Sequence, residues 1–177
     1  WGRSTSLWCL ILFILGVIVR LGYLSLVGIP DSQESDAVEY VALARHLAQG
    51  QGFTFDGVTP STYRPPLFSL LLGAWCRFLG STRMVTMVAF EVLIQAFSAS
   101  LTYLLVLLAQ PRNRFALLGS VIVAANPFIV SSVDLILQEP TQMLVVTAMG
   151  IAVILWCRQP TPGSASLAGI LFGVGGL

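Results

Sequence analysis

Long apolar runs separated by short polar segments dominate this sequence. Segment 7–28 is apolar for more than twenty residues, and at 1.5 Å per residue such a helix crosses roughly 30 Å of hydrocarbon. The runs 84–109, 115–133, 141–157 and 164–177 have the same character. We therefore predict an all-α protein, a polytopic bundle of transmembrane helices with one span in each of these five segments.

One further apolar run, 66–80, is too short for a comfortable span and contains Arg77. Its length favours an interfacial or re-entrant helix. If the run does not cross, the first loop extends from about residue 29 to residue 83. A loop of that length is usually functional.

The arginines test this arrangement. If 66–80 stays outside, the acidic first loop and Glu139 face outward, in agreement with the positive-inside rule. The arginines that then lie inside are Arg3, Arg112, Arg114 and Arg158. If 66–80 crosses instead, Arg77 and Arg83 become cytoplasmic, so the rule alone leaves both topologies open. The shortness of the run favours the first.

Composition supports a lipid environment. The chain is 56% hydrophobic and 10% charged, with a mean hydropathy of +0.86, whereas soluble domains carry about 25% charged residues. No basic run suggests a nucleic-acid partner. The cysteines Cys9, Cys76 and Cys157 form no CxxC pair, so neither a zinc site nor a disulfide framework is indicated.

The ends of the sequence suggest a longer protein. It begins at Trp1 rather than Met and stops inside an apolar run, so we expect it to be an N-terminal segment. The first run lacks a small-residue cleavage site, which favours an anchor over a signal peptide. An all-arginine basic set and a first loop without an N-x-S/T acceptor favour a bacterial inner membrane over the endoplasmic reticulum.

The first loop holds five of the eight acidic residues, and its strongest pattern is a helix over 35–50. Ser35 is a suitable N-cap and Gly50 a suitable C′ residue. Asp36 then lies at the helix N-terminus, where exposed amides keep a carboxylate ionised and oriented. Tyr40 follows one helical turn later on the same face.

Two more features lie on the same side in the favoured topology. Arg64 precedes Pro65-Pro66, which fix extended or helix-starting backbone and so hold the arginine at the mouth of the next helix. A guanidinium there suits a phosphate, which it can bind through a bidentate fork. Glu139 is followed by Pro140 at the start of another predicted helix.

Together these features resemble the first external loop of polyprenyl-phosphate-dependent membrane glycosyltransferases of the C-type fold. This group includes protein O-mannosyltransferases and aminoarabinose transferases (the glycosyltransferase family 39-like enzymes). The resemblance covers roughly residues 36–157, including Ala125-Asn126-Pro127 and Gln138-Glu139-Pro140. The matching loop residues are Asp36, Tyr40, Gly50, Gly52, Phe53, Arg64, Pro65, Pro66, Leu67, Leu79 and Gly80. Many members have Lys at the Arg64 position, or two adjacent acids where this chain has Ser35-Asp36.

The resemblance implies a polyprenyl-phosphate-sugar donor and an acceptor hydroxyl (of a glycan, lipid or protein) reached from the extracytoplasmic face. Asp36 would be the general base and Arg64 would hold the donor phosphate. Glu139 would orient the acceptor or help bind a divalent metal cation, which the sequence does not require. Tyr40 is a further candidate substrate-binding residue, with packing against the membrane-side helices as its alternative.

Plainer interpretations stay open. Asp36 could be an ordinary helix N-terminal acid, Arg64 an anchor to lipid headgroups, and Glu139 a solvated span end. We expect Glu39 to be solvated and the single histidine, His46, to be at the surface or in packing. The further expectations are that Arg20 snorkels to the outer interface and that Glu91 is structural.

Two other classes of function remain possible, a transporter or flippase and a non-catalytic membrane scaffold. Transporters place ionisable groups and broken helices near the membrane midplane. Here most acids cluster in one external loop, and only Glu91 is plainly within a span. This distribution favours the enzyme.

Overall fold

A computed structural model of the chain describes residues 3–31, 36–110 and 115–175. These residues form eight helices and no β-strand, so the predicted all-α fold is confirmed. The helices are α1 Arg3–Val27, α2 Asp36–Ala48, α3 Pro66–Phe78, α4 Met84–Ala109, α5 Ala116–Ala125, α6 Pro127–Ser131, α7 Glu139–Arg158 and α8 Pro162–Gly175. The proposed N-cap Ser35, the arginines Arg112 and Arg114, and the side chain of Arg3 lie outside the described residues.

Three of these helices are long and apolar enough to cross a membrane. They are Ser4–Val27 within α1, Met84–Ala109 and Glu139–Arg158. Their outward faces carry large exposed apolar side chains such as Ile18 and Val146, which suit lipid rather than water. The chain therefore has the helices of a membrane protein.

The apolar segment 115–133 is divided into two helices. α5 ends at Ala125 and α6 begins at Pro127, which has no N–H to continue the helical ladder. Asn126 caps α6, because its side-chain oxygen accepts hydrogen bonds from the backbone N–H groups of Phe128 and Ile129. The Asn-Pro pair therefore breaks a segment that its hydropathy alone suggests is continuous.

Helix α4 is the centre of the fold, with α1, α5 and α7 packed against it. α1 and α4 run antiparallel, since Ser100 Oγ donates a hydrogen bond to the Cys9 carbonyl and Gly16 lies against Ala96. A Cβ on Gly16 would come within 2.9 Å of the Ala96 Cα, so only glycine permits this approach. Small residues commonly allow such close helix contacts in membranes.

The long first loop is packed rather than extended. α2 and α3 contact each other extensively, and this helical hairpin lies at the Met84 end of α4. One apolar cluster joins the hairpin to the rest of the chain, and its buried members include Leu24, Tyr40, Phe68, Val88 and Ile136. The hairpin therefore has a fixed place on the bundle, and the site described below depends on it.

Candidate functional site

Arg64 is the centre of a charged cluster at the start of α3. Its Nη2 donates a hydrogen bond to Asp36 Oδ1 at 2.5 Å, and its Nε donates to Glu39 Oε2. The following Pro65, with φ −56° and ψ 131°, is the N-cap of α3, and Pro66 occupies the first turn. The proline pair thus fixes the backbone from which Arg64 reaches two carboxylates on α2.

Two aromatic rings also contact the guanidinium. The Arg64 Cζ lies 5.3 Å from the centre of the Tyr40 ring and 5.2 Å from that of Tyr63, within the range of cation–π attraction. The Tyr40 ring is itself buried and packs edge-to-face on Phe68 at 5.1 Å. The rings and carboxylates together hold Arg64 in one orientation.

Helix α2 presents the acids because of its spacing. Asp36 and Glu39 lie three residues apart in the first turn, so both side chains project from one side of the helix. The helix ends in a glycine cap: Gly50 has a φ of 79°, and the N–H groups of Gly50 and Gln51 return to the Leu47 and His46 carbonyls. The predicted C′ role of Gly50 is therefore confirmed.

Exposure differs sharply within the cluster. The Asp36 side chain is 58% exposed, whereas that of Arg64 is 17% exposed. The two hydrogen bonds from Arg64 to the carboxylates use Nη2 with Asp36 Oδ1 and Nε with Glu39 Oε2, so Arg64 Nη1 and Asp36 Oδ2 take part in neither. Asp36 is therefore the more solvent-exposed member of the pair.

Electrostatics in the cluster follow from these contacts. Hydrogen bonds from Arg64 to Asp36 and Glu39 raise the pKa of Arg64 further above its already high ordinary value. Burial raises the pKa of Tyr40, and the negative charges of Glu139 and Asp36 add to the rise, while Arg64 opposes it. Arg64 therefore stays cationic and Tyr40 stays neutral at any physiological pH.

Glu139 lies near the cluster but not in it. It is an exposed residue that begins α7, and its charge acts on Tyr40. It makes no ion pair with Arg64 within the part of the chain that the structure describes. The structure thus brings Asp36, Tyr40 and Arg64 into direct contact and puts Glu139 beside them.

The expectation that Glu39 would be solvated is wrong, because Glu39 is bonded to Arg64. The spacing of the two acids indicates this contact. Residues three apart on a helix lie on the same side, so a cation that contacts Asp36 can also reach Glu39. His46 has the packing role expected of it, with Nδ1 2.8 Å from the Thr54 carbonyl.

A search for metal-binding clusters is limited to the residues that the structure describes. No group of three His, Cys, Asp or Glu side chains in the described ranges is arranged to hold a metal ion. Asp36 and Glu39 each already accept a hydrogen bond from Arg64.

A second polar group lies deeper between the helices and corrects another expectation. Arg20 does not snorkel to an interface: it is fully buried and donates hydrogen bonds to Gln95 Oε1 at 2.8 Å and to the Gly16 and Ala124 carbonyls at 3.0 Å. Glu91, one turn from Gln95, is equally buried. Neither Glu91 oxygen has a hydrogen-bond partner among the described residues.

The charged cluster offers a fixed cation beside an accessible carboxylate. A guanidinium can bind and neutralise a phosphate, and a carboxylate can accept a proton from a hydroxyl. Comparisons with models of protein families, with curated proteins and with solved structures found no match. The geometry of this cluster and the apolar helices that carry it are therefore the basis for assigning a function.

Proposed function

We propose that this chain is part of an inverting glycosyltransferase that moves a sugar from a polyprenyl-phosphate donor to an acceptor hydroxyl. The observation that carries the proposal is the Arg64–Asp36 pair at the end of a helical hairpin packed on apolar helices. A lipid-linked phosphate requires a cation at the membrane surface, and a hydroxyl nucleophile requires a base next to it. This cluster supplies both.

The proposed membrane arrangement has five crossings. They are α1, α4, the α5–α6 pair, α7 and α8, with the α2–α3 hairpin on the extracytoplasmic surface of a bacterial inner membrane. Arg64, Asp36 and Glu139 then share that surface. α1 and α4 run antiparallel, which is the arrangement expected if the α2–α3 hairpin between them does not cross the membrane.

Arg64 is assigned to the donor phosphate. We assign its Nη1, which neither carboxylate contacts, to a phosphate oxygen, and charge-assisted hydrogen bonds of this kind are about twice as strong as neutral ones. When the sugar–phosphate bond breaks, the phosphate oxygen gains negative charge. A guanidinium already fixed by rings and carboxylates stabilises that charge without having to reorganise.

Asp36 is assigned as the general base. In this exposed side chain, Oδ2 is the oxygen that Arg64 does not contact, and it accepts the proton of the acceptor hydroxyl while the hydroxyl oxygen bonds to the anomeric carbon. The bond from that carbon to the phosphate oxygen breaks on the opposite face, and polyprenyl phosphate leaves with the electron pair. The sugar therefore changes anomeric configuration. Glu139, beside Tyr40, is assigned to orienting the acceptor.

Native mass spectrometry of the purified protein with polyprenyl phosphate tests the proposal. Wild-type protein should bind the lipid, and Arg64→Ala should lose most of that binding. Arg83→Ala is the matched control, because Arg83 is an exposed arginine that precedes α4 and lies outside the cluster. Absence of binding to wild-type protein would reject the lipid carrier, and equal losses in both variants would indicate only general surface charge.

A cysteine introduced at position 113 tests the proposed sidedness. The residue falls between α4 and α5, which the proposal puts in the cytoplasm. In a variant without Cys9, Cys76 and Cys157, Asn113→Cys should resist a membrane-impermeant thiol reagent in intact cells and react after lysis. Ready labelling in intact cells would reverse the topology.

One observation favours a transporter instead. Transporters often combine broken helices with buried ionisable groups, and this chain has the break at Asn126 and the buried Glu91. However, Arg20 donates a hydrogen bond to the Ala124 carbonyl, so a group freed by the break is already bonded within the protein. A transporter would keep its function in the Asp36→Asn variant, whereas the glycosyltransferase would lose it.

A further inference from the structure

Glu39 shares Arg64 with the proposed base and has no part in the reaction proposed above. Arg64 donates through Nε to Glu39 and through Nη2 to Asp36. These two nitrogens lie on the same edge of the guanidinium, and each binds a different carboxylate. The Glu39 side chain is 37% exposed, and that of Asp36 is 58% exposed. Two acids in one helical turn therefore contact a single cation at neighbouring atoms.

This division has a consequence for Asp36. An arginine next to a single carboxylate commonly forms two parallel hydrogen bonds, one to each oxygen. Here Glu39 occupies Nε, which prevents the side-on pair of Nε and Nη2, and the structure shows no end-on pair of Nη1 and Nη2 with Asp36. Asp36 consequently uses only Oδ1, and Oδ2 accepts no hydrogen bond from the described residues.

We propose that Glu39 is a positioning residue that fixes Arg64 through Nε, so that Arg64 presents Nη1 to the donor phosphate and leaves Asp36 Oδ2 free. The proposal rests on the proposed function, since it concerns the same phosphate and the same base. Without Glu39, Arg64 turns toward Asp36 and binds both of its oxygens. The phosphate then has to compete with a carboxylate that holds two N–H groups rather than one.

The role depends on the position of an acceptor atom and not on the charge of Glu39. A glutamate beside a phosphate site repels the phosphate, so on charge alone its removal should improve binding. If Glu39 instead positions Arg64 through its oxygen, shortening the side chain should weaken phosphate binding. Glu39→Gln keeps an oxygen at the same distance for Nε and removes the charge, whereas Glu39→Asp keeps the charge and withdraws the oxygen by one methylene.

The experiment measures binding of polyprenyl phosphate to purified wild-type protein, Glu39→Gln and Glu39→Asp in mild detergent, with unphosphorylated polyprenol as the control ligand. Glu39→Asp should bind polyprenyl phosphate at least about tenfold more weakly, the effect of one charge-assisted hydrogen bond. Glu39→Gln should bind it at least as well as the wild type. Polyprenol binding should be the same in all three proteins, because it lacks the phosphate that Arg64 contacts.

Each other result has a defined meaning. If wild-type protein does not bind polyprenyl phosphate, the proposed function fails and with it the basis for this inference. If the wild type binds and Arg64→Ala does not, but Glu39→Asp binds like the wild type, the function stands and the positioning role is wrong. Equal weakening in Glu39→Gln and Glu39→Asp would also overturn positioning, because Glu39→Gln keeps the acceptor oxygen in place and should therefore bind like the wild type.

Discussion

Two arginines of this chain are fixed in opposite ways. Arg64 contacts two carboxylates and two tyrosine rings, and its neighbour Asp36 is largely exposed. Arg20 is fully buried and contacts an amide oxygen and two backbone carbonyls. One guanidinium is neutralised by charges next to solvent, and the other is solvated by protein dipoles between helices.

The difference indicates which arginine can exchange partners. The partners of Arg20 include the Ala124 carbonyl just before the Asn126-Pro127 break, so its hydrogen bonds join α1, α4 and α5. Moving Arg20 would leave several buried polar groups unpaired. Arg64 lies at the start of α3, and its carboxylate partners are partly exposed to solvent, so they can exchange partners without such a loss.

The largest effect is expected at the exposed pair. Asp36→Asn should reduce sugar transfer by roughly 10²- to 10⁴-fold, the usual contribution of a positioned general base. The amide is nearly the same size but cannot accept the acceptor's proton. Initial rates with a lipid-linked donor measure the loss, and the amount of folded protein should be unchanged.

Asp31→Asn is the matched control for that variant. Asp31 is another exposed acid of the first loop, and it lies outside the Arg64 cluster. It should transfer sugar at the wild-type rate. Wild-type activity in Asp36→Asn would remove Asp36 from catalysis and leave Arg64 as part of a binding site only.

The next effect concerns stability and should be confined to the buried arginine. Arg20→Met should lower the free energy of unfolding by about 2–6 kcal/mol, because it leaves the Gln95 oxygen and the Ala124 carbonyl buried without this donor, at about 1–3 kcal/mol for each. Thermal unfolding in detergent measures this loss. Arg64→Met should cost much less, since water can reach the carboxylates that it leaves behind.

Similar losses in the two variants would show that Arg64 is as structural as Arg20 and that the site is a packing feature. Arg20→Lys refines the test. A lysine keeps the charge but loses the planar fork that reaches three acceptors in different directions, so it should recover only part of the stability.

The sequence predicts local features of this molecule well and pairings between distant residues poorly. Run length alone identifies α1, α4 and α7 as candidate spans, and Gly50 and Pro66 identify helix ends. Asp36 and Tyr40 lie on one face of α2, as their spacing predicts, and both contact Arg64. Each of these predictions depends on residues close in the chain or on a proline or glycine with fixed backbone preferences.

The errors at Arg20 and Glu39 have one physical cause. Whether a charged side chain faces water or a partner depends on what the rest of the chain brings to it, and the partners are 75 and 25 residues away. A lone arginine near a span end is usually assigned to the interface. Only the packing of α1 against α4 shows that Arg20 faces Gln95 instead.

The smallest effect is expected at Glu91 and extends the comparison from cations to acids. Both Glu91 oxygens are buried without a partner among the described residues, whereas Glu39 is bonded to Arg64. Glu91→Gln should therefore change the free energy of unfolding by no more than about 1 kcal/mol, because it removes no hydrogen bond and avoids the cost of a buried charge. Thermal unfolding beside Arg20→Met measures the change. If Glu91→Gln is as destabilising as Arg20→Met, Glu91 is ionised and acts as a partner of Arg20. The buried polar group would then depend on charge rather than on dipoles.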